Sequence, residues 1–537
     1  MKRLNDILCS AFAYLIIVIL SVLSLFSFIS TTFVNSSDEV YYVSDQAYIH
    51  VAAFLLVIFI MVFFGKGIKV TDRLLLITGI CITLALALFV YFGDLKPRFD
   101  QRAVSQVAAG VLNGYYAEYL PGGYAEIYPY QNGLVLLYEF IFFLAGPDNY
   151  IAIQYLNLLC MVASVLAIYF ISAMRTKYFR EITLAFILFM PYWGYVSFVY
   201  GNVPGFSLAL WGLYFSVRFL SDYKILHAVI ASILMSLACI LKFNFAIMVI
   251  AIVIYSLMRL IEGKKLKTLL LSVLMVAAMM LGDLLVSKAI VFQTGIPLTE
   301  GIPSIPYIAM GLHEHNERGA GWHDDYPEDT YKATGHDPVE TNKAAVEDIK
   351  ASIENFRQHP GYAVGFFTRK IASMWNEPSF YSLSLQKERM DPENDSGFIR
   401  SLASTSKLTW YLDYIMNVFQ SLIYLFSLLY FVYKRKNKDF SKFFFALYFL
   451  GGFLCHLLWE ASSQYAVFYA MLLTPYAVIG IIETVSRIKA FSKRERIKYS
   501  VITVAVTLIL SSQFLVNFLT LNRDNQRFLE DIVPFIS

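Results

Sequence analysis

Long apolar runs dominate this chain and limit the folds that it can adopt. A helix needs about 20 apolar residues to cross a bilayer. With 58% hydrophobic and 15% charged residues, the composition excludes a water-soluble globular protein. We therefore predict an all-α polytopic membrane protein with about 13 transmembrane helices. The predicted spans are 8–33, 49–65, 73–93, 150–173, 181–199, 205–221, 224–241, 245–261, 268–291, 411–433, 440–459, 465–485 and 500–518.

Basic residues fall in alternate connectors between these spans. Cytoplasmic loops of membrane proteins are enriched in Lys and Arg, so these connectors are predicted to be cytoplasmic. The N-terminus is then inside, the C-terminus is outside, and the chain is a multi-pass protein of the plasma membrane. The basic clusters are Lys66/Lys69/Arg73, Arg175/Lys177/Arg180, Lys264/Lys265/Lys267, Lys434/Arg435/Lys436/Lys438 and the stretch from Arg487 to Lys498.

Two polar segments lie on the outer side of this predicted topology. The first, 94–149, contains the apolar run Gly133–Gly146, which is too short for a span and more typical of a re-entrant or interfacial helix. It also contains an amphipathic helix with apolar residues at helical spacing, which we expect to lie parallel to the bilayer. The second, 292–410, predicts a small, mostly helical outer domain. The chain thus divides into 1–291, a membrane module that carries the catalytic loop, the outer domain 292–410, and a second membrane module, 411–537.

Asp100 stands at the start of the amphipathic helix, at the predicted water–membrane boundary. One interpretation is that it caps the N–H groups of that helix. Its neighbours Arg98 and Arg102 suit an anion, and Glu126 follows in the aromatic stretch "YAEIYPYQNG". A carboxylate at this depth suits a substrate whose reactive bond lies in the headgroup plane, such as a sugar joined through phosphate to a polyprenyl chain. Asp100 would accept the proton of the attacking hydroxyl, and cations would stabilise the departing phosphate, with inversion at the sugar carbon.

Several short stretches resemble those of the GT-C membrane glycosyltransferases. They are "PRFDQRAVSQVAAGVLNGYY", "YAEIYPYQNGLVLLYEFIFFLAG", "IQYLNLL", "FVYGNVPG", "LKFNF" and "WEASSQYAVFYAMLLTPY". The chain is most similar in pattern to bacterial relatives of the family 39 protein mannosyltransferases and of the lipid A aminoarabinose transferases. The resemblance covers most of the chain, although each motif is short. It implies a GT-C fold, glycosyl transfer from a lipid-phosphate sugar, and Asp100 as the catalytic base.

From the residues and the resemblance together we predict the remaining substrate-binding positions. The alternative explanation of Lys242 is that its charged end extends to the outer membrane surface and binds nothing. The alternative explanation of Arg369 and Lys370 is that they anchor a helix to anionic lipid. The predicted substrate-binding residues are Arg98, Gln101, Arg102, Glu126, Tyr128, Tyr130, Gln131, Lys242, His313, Trp322, Arg369, Lys370, Glu460, Gln464 and Tyr465.

The sequence departs from the family pattern in two places. The acidic loop usually follows the first span, whereas here it follows the third, so the hairpin 8–65 is an addition. The loop of that hairpin contains Asp45, an alternative base; we prefer Asp100 because only it is followed by the Tyr-Pro-Tyr-Gln segment. The second departure is Gln464, where many relatives carry Arg before the Tyr, which puts a phosphate-binding role there in doubt.

The stretch "GLHEHNERGAGWHDD" is compatible with a divalent cation, but alternating histidines in a Gly-rich loop are more often solvated or in contact with substrate. His313, His315 and His323 with Asp324 and Asp325 would be the ligands. We therefore predict no metal-ligating residue and no certain cofactor, and leave a divalent cation open.

Other function classes fit the sequence less well. There is no Gly-rich phosphate loop, no nucleophilic Ser or Cys arrangement and no nucleic-acid footprint, and the inner connectors are too short for a nucleotide-sugar domain. A transporter or flippase for lipid-linked glycans remains an alternative, as does a polymerase or ligase that depends on outer-loop arginines. The expected partners are the bilayer, a polyprenyl-phosphate sugar donor, and a cell-surface glycan or teichoic-acid-like acceptor.

Overall fold

The computed structural model of the protein is a bundle of helices with one small sheet. It describes residues 2–35, 38–65, 69–263, 265–314, 318–384, 402 and 407–531. The first elements are α1 (Lys2–Ile29), β1 (Ser30–Val34), β2 (Val40–Ser44), α2 (Ala47–Phe63), α3 (Asp72–Gly93), α4 (Asp100–Leu112), α5 (Tyr124–Ile127), α6 (Asn132–Ala145), α7 (Tyr150–Ala173), α8 (Phe179–Ile187), α9 (Met190–Gly194), α10 (Asn202–Asp222), α11 (Ile225–Leu241), α12 (Ala246–Ile261) and α13 (Thr268–Thr294). They are followed by α14 (Ile305–Gly311), α15 (Tyr326–Ala333), α16 (Pro338–Gln358), α17 (Pro360–Trp375), α18 (Lys407–Lys434), α19 (Ala446–Leu458), α20 (Ser463–Met471), α21 (Thr474–Ala490), α22 (Lys493–Leu510), α23 (Phe514–Phe518) and α24 (Asn525–Asp531).

The described residues contain seven helices that are long and apolar enough to cross a membrane, or eight if α20 and α21, which meet at a 50° bend, form one span. Three shorter apolar helices, α2, α11 and α19, lie beside them. The chain is thus a helical multi-pass membrane protein, and the count of 13 spans stays a prediction. The predicted span 181–199 is interrupted, because α8 ends at Ile187 and a new short helix starts with Pro191 in its first turn. Proline lacks the N–H that a continuous helix would need at that point.

A small sheet corrects the all-α prediction. Strands β1 and β2 form an antiparallel hairpin in which Ser30 pairs with Ser44 and Val34 pairs with Val40. Both strands are rich in Val, Thr and Tyr, which favour extended backbone. Helix α24 packs on this hairpin, where the Phe528 ring lies 4.7 Å from the Phe33 ring. The last described helix therefore lies on the same side of the molecule as the hairpin.

The helices pack as two neighbouring groups. In one, α10 packs on α7 and α11, and α13 packs on α11 and α12; in the other, α18 packs on α1, α2 and α21. Contacts of α12 with α19 and with α1 link the two groups. Each group therefore buries one face of several apolar helices and leaves the other faces exposed, as a lipid-facing bundle requires.

The two ends of the bundle differ in their connectors. At one end, Lys438 Nζ lies 2.5 Å from Ser10 Oγ, and the Arg175 guanidinium donates to the Ser441 carbonyl at 2.7 Å. These basic connectors therefore meet on one side, the side predicted to be cytoplasmic. Helix α1 runs from this end to the hairpin at the other end, where the predicted outer segments fold together.

The outer segments adopt the helices that their patterns predict. Helix α4 buries Val104, Val107, Ala108 and Val111 of the predicted apolar face, whereas Ala103 is half-buried and Leu112 is exposed. Helix α6 has 14 residues and is too short to be a span candidate. Helices α14 to α17 form a small layer from the segment that is predicted to be outer.

Candidate functional site

Two glycines bring the end of α11 close to other segments at the predicted outer side. A Cβ atom on Gly201, which precedes α10, would collide with the Leu241 carbonyl oxygen, and one on Gly133 in α6 would collide with Ile240. The absence of side chains there lets Tyr200 lie beside Lys242, the residue that follows α11. The Lys242 Nζ atom lies 4.3 Å from the centre of the Tyr200 ring and 5.6 Å from that of Tyr465. A buried ammonium between two ring faces is stabilised by cation–π attraction.

Asp100, in α4, interacts electrostatically with this lysine. It is the first residue of that helix and not its cap, because the cap position is Phe99, whose backbone is left-handed with φ of 46°. Helix α4 is tied to the segment before Tyr200 because the Gln101 side-chain oxygen accepts a hydrogen bond from the Val199 N–H at 3.0 Å. The Asp100 side chain is open to solvent. It nevertheless lies deep among other groups, so that desolvation raises its pKa, while Lys242 opposes this by stabilising the carboxylate.

Tyrosines line the space around this pair. The rings of Tyr124 and Tyr128 lie 4.8 Å apart, and the hydroxyls of Tyr130 and Tyr307 lie 3.5 Å apart. Tyr307 stacks on Trp459 with the ring planes 9° apart. Electrostatic interactions connect Asp100 with Lys242 and with Tyr124, Tyr128 and Tyr307, and we call this cluster of residues the recess. Its residues come from outer segments that are distant in sequence.

A second carboxylate, Glu460, borders the recess. Only 8% of Glu460 is exposed, and the Tyr465 hydroxyl lies 3.3 Å from each of its oxygens. Desolvation raises the pKa of Glu460, and the positive charges of His323 and Lys242 oppose that rise. The ammonium of Lys242 is thus placed between two carboxylates. Burial lowers the pKa of Lys242 to about 8, and Asp100 and Glu460 prevent a larger fall.

His323 and Glu328 form an ion pair close to the recess. The His323 Nε2 atom lies 3.4 Å from Glu328 Oε1, which also accepts a hydrogen bond from the Tyr128 hydroxyl. Burial disfavours the imidazolium, but Glu328 and Glu460, together with Asp325, raise the pKa of His323 to about 9. His323 in turn stabilises the charged form of Asp100, which shows that the two groups are close enough to interact.

Five of the predicted binding residues are engaged in contacts within the protein. Glu126 accepts hydrogen bonds from the Gly122 N–H and the Tyr331 hydroxyl. Arg369 forms a two-pronged ion pair with Glu314. Lys370 donates to the backbone carbonyls of Gly311 and Trp459. The Trp322 indole donates to Ser373, and the His313 ring packs edge-on against Tyr326. Their roles in substrate binding stay predictions.

Four other predicted residues have different surroundings. Arg102 is exposed on α4, and the Arg98 guanidinium lies 4.5 Å from the centre of the Phe99 ring. Gln131 donates to the Tyr200 hydroxyl. Gln464 is half-buried and lies in the first turn of α20, next to Tyr465.

Asp45, the alternative base, lies in a separate buried network. Its Oδ2 atom accepts hydrogen bonds from Thr31 at 2.8 Å, from Asn417 at 2.5 Å and from the His50 ring at 3.1 Å. Its Oδ1 atom accepts from the Gln46 N–H at 2.6 Å. A carboxylate held by this many donors is stabilised in its charged form, and the pKa of Asp45 is lowered despite burial. These hydrogen bonds connect Asp45 to neighbouring elements and stabilise its charged form. Asp45 therefore takes up a proton less readily than a catalytic base must.

The structure adds Tyr124, Tyr200, Tyr307 and Glu328 to the residues predicted from sequence. Tyr124 and Tyr200 lie in the stretches "YAEIYPYQNG" and "FVYGNVPG". The first contains Glu126, and the second belongs to the family resemblance, but neither tyrosine was itself predicted. Tyr307 and Glu328 come from the outer domain, where no local pattern marks them. Their proximity to Asp100 is a consequence of tertiary folding.

A separate cavity lies among the apolar helices. It has a volume of about 200 Å³ and is lined by residues of α2, α8, α9, α18 and α21, including Phe189, Met416 and Phe426. None of its lining residues carries an ionisable side chain. This cavity therefore offers no side chain for acid–base chemistry.

The fold is that of a multi-pass membrane protein, and the recess is a polar, tyrosine-rich site formed largely by its loops. Solved structures similar to it are those of the oligosaccharyltransferase from Archaeoglobus fulgidus, a GT-C glycosyltransferase. The structure of AglB with an inhibitory peptide and a dolichol-phosphate has 11% identity and a TM-score of 0.40, and the match covers 84% of this chain. The apo form has 10% identity and a TM-score of 0.40 over 83% of this chain. This chain spans about half the length of these proteins, 55% in both cases. No family model and no curated protein matches the sequence.

Proposed function

We propose that this protein is a membrane glycosyltransferase that moves a sugar from a polyprenyl-phosphate-linked donor to an acceptor at the outer membrane face. The observation that carries the proposal is the exposed carboxylate of Asp100 on α4, which interacts electrostatically with the Lys242 ammonium held against the Tyr200 and Tyr465 rings. A base that water and substrate can reach, and a cation that is held between ring faces, are the two groups that such a transfer requires.

In the proposed reaction, an acceptor hydroxyl attacks the anomeric carbon of the donor sugar. Asp100 takes the hydroxyl proton as the new C–O bond forms. The bond from the anomeric carbon to the phosphate oxygen breaks at the same time, and its electron pair leaves with the lipid phosphate. Lys242 stabilises the negative charge that develops on that phosphate. A single displacement of this kind inverts the anomeric configuration.

The surroundings of Asp100 support its role as a base. Because desolvation raises its pKa, its carboxylate binds a proton more readily than an exposed Asp would. The tyrosines that line the recess present ring faces and hydroxyls at close range, which suits a sugar with both apolar faces and polar edges. Cell-surface glycans are the acceptors that we favour, with protein second.

The location of the recess also separates this proposal from its main alternative. A flippase for lipid-linked glycans is expected to have polar groups near the membrane midplane. Here the carboxylates and the lysine gather at the loop end of α11 and on α4, beside the outer segments. Surface chemistry therefore fits the arrangement better than passage through the bundle does.

The test is sugar transfer by purified protein from a labelled polyprenyl-phosphate sugar, together with mass analysis of surface glycans in cells that lack the chain. We expect Asp100→Asn to lower the transfer rate by about 100-fold or more, since removing a general base typically costs 10²–10⁴-fold. Asp94→Asn is the matched control. Asp94 lies in the same loop, in a left-handed conformation that Asn also adopts, and accepts a hydrogen bond from Tyr150 that an amide oxygen can keep.

We expect Asp94→Asn to transfer sugar at the wild-type rate and both variants to elute as folded protein. Wild-type activity in Asp100→Asn would refute the proposal. A loss of glycan export with unimpaired transfer in vitro would favour the flippase.

A further inference from the structure

Helix α13 carries two charged residues where a membrane span is expected to be apolar. The helix has 27 residues and is one of the candidate spans. It follows the basic connector that contains Lys267, and its other end is tied to α6, where the Gln293 side chain donates to Glu139 at 2.9 Å. At a rise of about 1.5 Å per residue, Asp283 lies roughly 16 Å and Lys288 roughly 9 Å from that end. Because the apolar part of a bilayer is about 30 Å thick, we expect Asp283 near its middle.

Both charged side chains lie on the outside of the bundle. Asp283 and Lys288 are exposed, and neither forms an ion pair or a side-chain hydrogen bond within the described part of the chain. The opposite face of α13 packs on α11, where a Cβ atom on Gly282 would collide with Ser236 and Ile240. The two charges are therefore turned toward lipid or toward a neighbouring protein. An ionised side chain is costly inside a membrane, and such residues almost always pair with another charge or reach water.

The sequence of α13 places these charges beside an apolar stripe. Residues at alternating steps of three and four share one face of a helix and are called a and d in the seven-residue repeat. In α13 these residues are all apolar or small, and all are exposed or half-buried. They are Leu270, Val273, Ala277, Met280, Leu284, Ser287 and Val291. Asp283 directly precedes Leu284 at the g position, and Lys288 directly follows Ser287 at the e position, so the charges flank the stripe on its two sides.

This arrangement is complementary to a second copy of itself. When two parallel helices meet along their a and d residues, the g residue of one lies opposite the e residue of the other, five positions further along. Asp283 and Lys288 are separated by that spacing. A twofold axis along the membrane normal therefore places Asp283 of each copy opposite Lys288 of the other, which gives two equal ion pairs. The small residues Ala277 and Ser287 let the two backbones approach closely, as is usual between membrane helices.

We propose that α13 is the interface of a parallel homodimer, in which the apolar stripes of two copies pack together and Asp283 of each copy pairs with Lys288 of the other. A second copy satisfies both charges at once. A lipid chain satisfies neither, and an unrelated helix would need an acidic and a basic residue at the matching depths. The interface goes beyond the proposed function and does not depend on it, because neither charged residue belongs to the recess.

The first test is disulfide cross-linking in native membranes. Leu284→Cys places a thiol at an a position, close to the same thiol of the second copy. Leu285→Cys is the matched control, because Leu284 and Leu285 are neighbours with similar exposed fractions, 52% and 59%, but Leu285 lies at the b position outside the interface. With a mild oxidant we expect Leu284→Cys to form a product of twice the mass. Leu285→Cys should give only the background of the parent chain, which has five free cysteines.

The second test exchanges the charges in the Leu284→Cys chain. Asp283→Lys opposes lysines to lysines, and Lys288→Asp opposes aspartates to aspartates. Each should lower the cross-linked fraction by about tenfold or more, because like charges across an interface strongly disfavour association. When the two variants are produced together with different tags, every lysine faces an aspartate of the other chain, and the mixed dimer should form again. A loss of folding could not be restored in this way.

The homodimer is refuted if Leu284→Cys and Leu285→Cys cross-link to the same extent, since the face then contacts only lipid or collides at random. It is equally refuted if the mixed pair gives no more product than either charge variant alone. A product whose mass requires a different protein would also refute it and would identify a heteromeric partner. Sugar transfer is measured on the same membranes. A chain that cross-links as expected but transfers no sugar would leave the interface and remove the proposed function.

Discussion

Two buried lysines illustrate how local partners decide what a residue can do. Lys370 donates to the carbonyls of Gly311 and Trp459, and burial lowers its pKa to about 7. Its donors hold two segments of backbone together. Lys242 instead lies against the ring faces of Tyr200 and Tyr465, which attract its charge without accepting conventional hydrogen bonds. Its N–H groups are therefore suited to an incoming phosphate, which the residue type alone could not reveal.

At this scale we predict a bell-shaped pH dependence of kcat/KM. Asp100 must be ionised to act as a base, so activity is lost as the pH falls through its raised pKa. Lys242 must be protonated to stabilise the phosphate, so activity is lost as the pH rises through about 8. Lys242→Arg should remove the alkaline limb and keep the acid limb, because a guanidinium stays protonated throughout this range. An alkaline limb that is the same in the wild type and in Lys242→Arg would show that another group is responsible.

At the scale of elements, the recess depends on how closely helices and connecting segments approach. Gly201 contacts the last residue of α11, Gly133 contacts the residue before it, and both contacts lie next to Lys242. Gly311 likewise packs against the backbone of Trp459, beside Glu460. A sequence pattern indicates which residues are small, but it does not indicate which distant backbone they will meet. The positions of these elements were therefore not predictable from the motifs that contain them.

We expect Gly201→Ala to impair both folding and transfer. The added Cβ would collide with the Leu241 carbonyl and push Tyr200 away from Lys242. Overpacking of this kind typically costs about 1–3 kcal/mol, so the thermal unfolding temperature in detergent should fall and residual transfer should drop more than the folded fraction does. Gly79→Ala is the control, because Gly79 lies in α3 and a Cβ atom added there would meet no atom within 4 Å. There we expect unchanged transfer and equal or higher stability, since Ala favours a helix. Equal behaviour of the two variants would contradict the close approach.

At the scale of the molecule, the parts of the fold that depend on local pattern were predicted from sequence. The apolar runs and the amphipathic pattern of α4 follow from periodicity. The β1–β2 hairpin and the break in the predicted span 181–199 were missed, since short strands and interrupted helices share the composition of their neighbours. For the site, Asp100, Lys242 and Glu460 were identified in advance. The partners of Arg369 and Lys370 were not, because ion pairs and carbonyl contacts form only in the folded chain.

The orientation of the whole bundle is the remaining prediction at this scale. The basic connectors meet at one end, and we expect that end to be cytoplasmic because of the positive-inside bias. Single cysteines at the exposed positions Lys436 and Glu347 test this, since Lys436 belongs to a basic connector and Glu347 to the outer helix α16. With a thiol reagent that cannot cross membranes, Glu347→Cys should be labelled in intact cells and Lys436→Cys only after the membrane is opened. The parent chain provides the background, because its five cysteines lie in or beside apolar runs. The opposite labelling pattern would place the recess on the cytoplasmic face, where a lipid-linked donor could not be used as proposed.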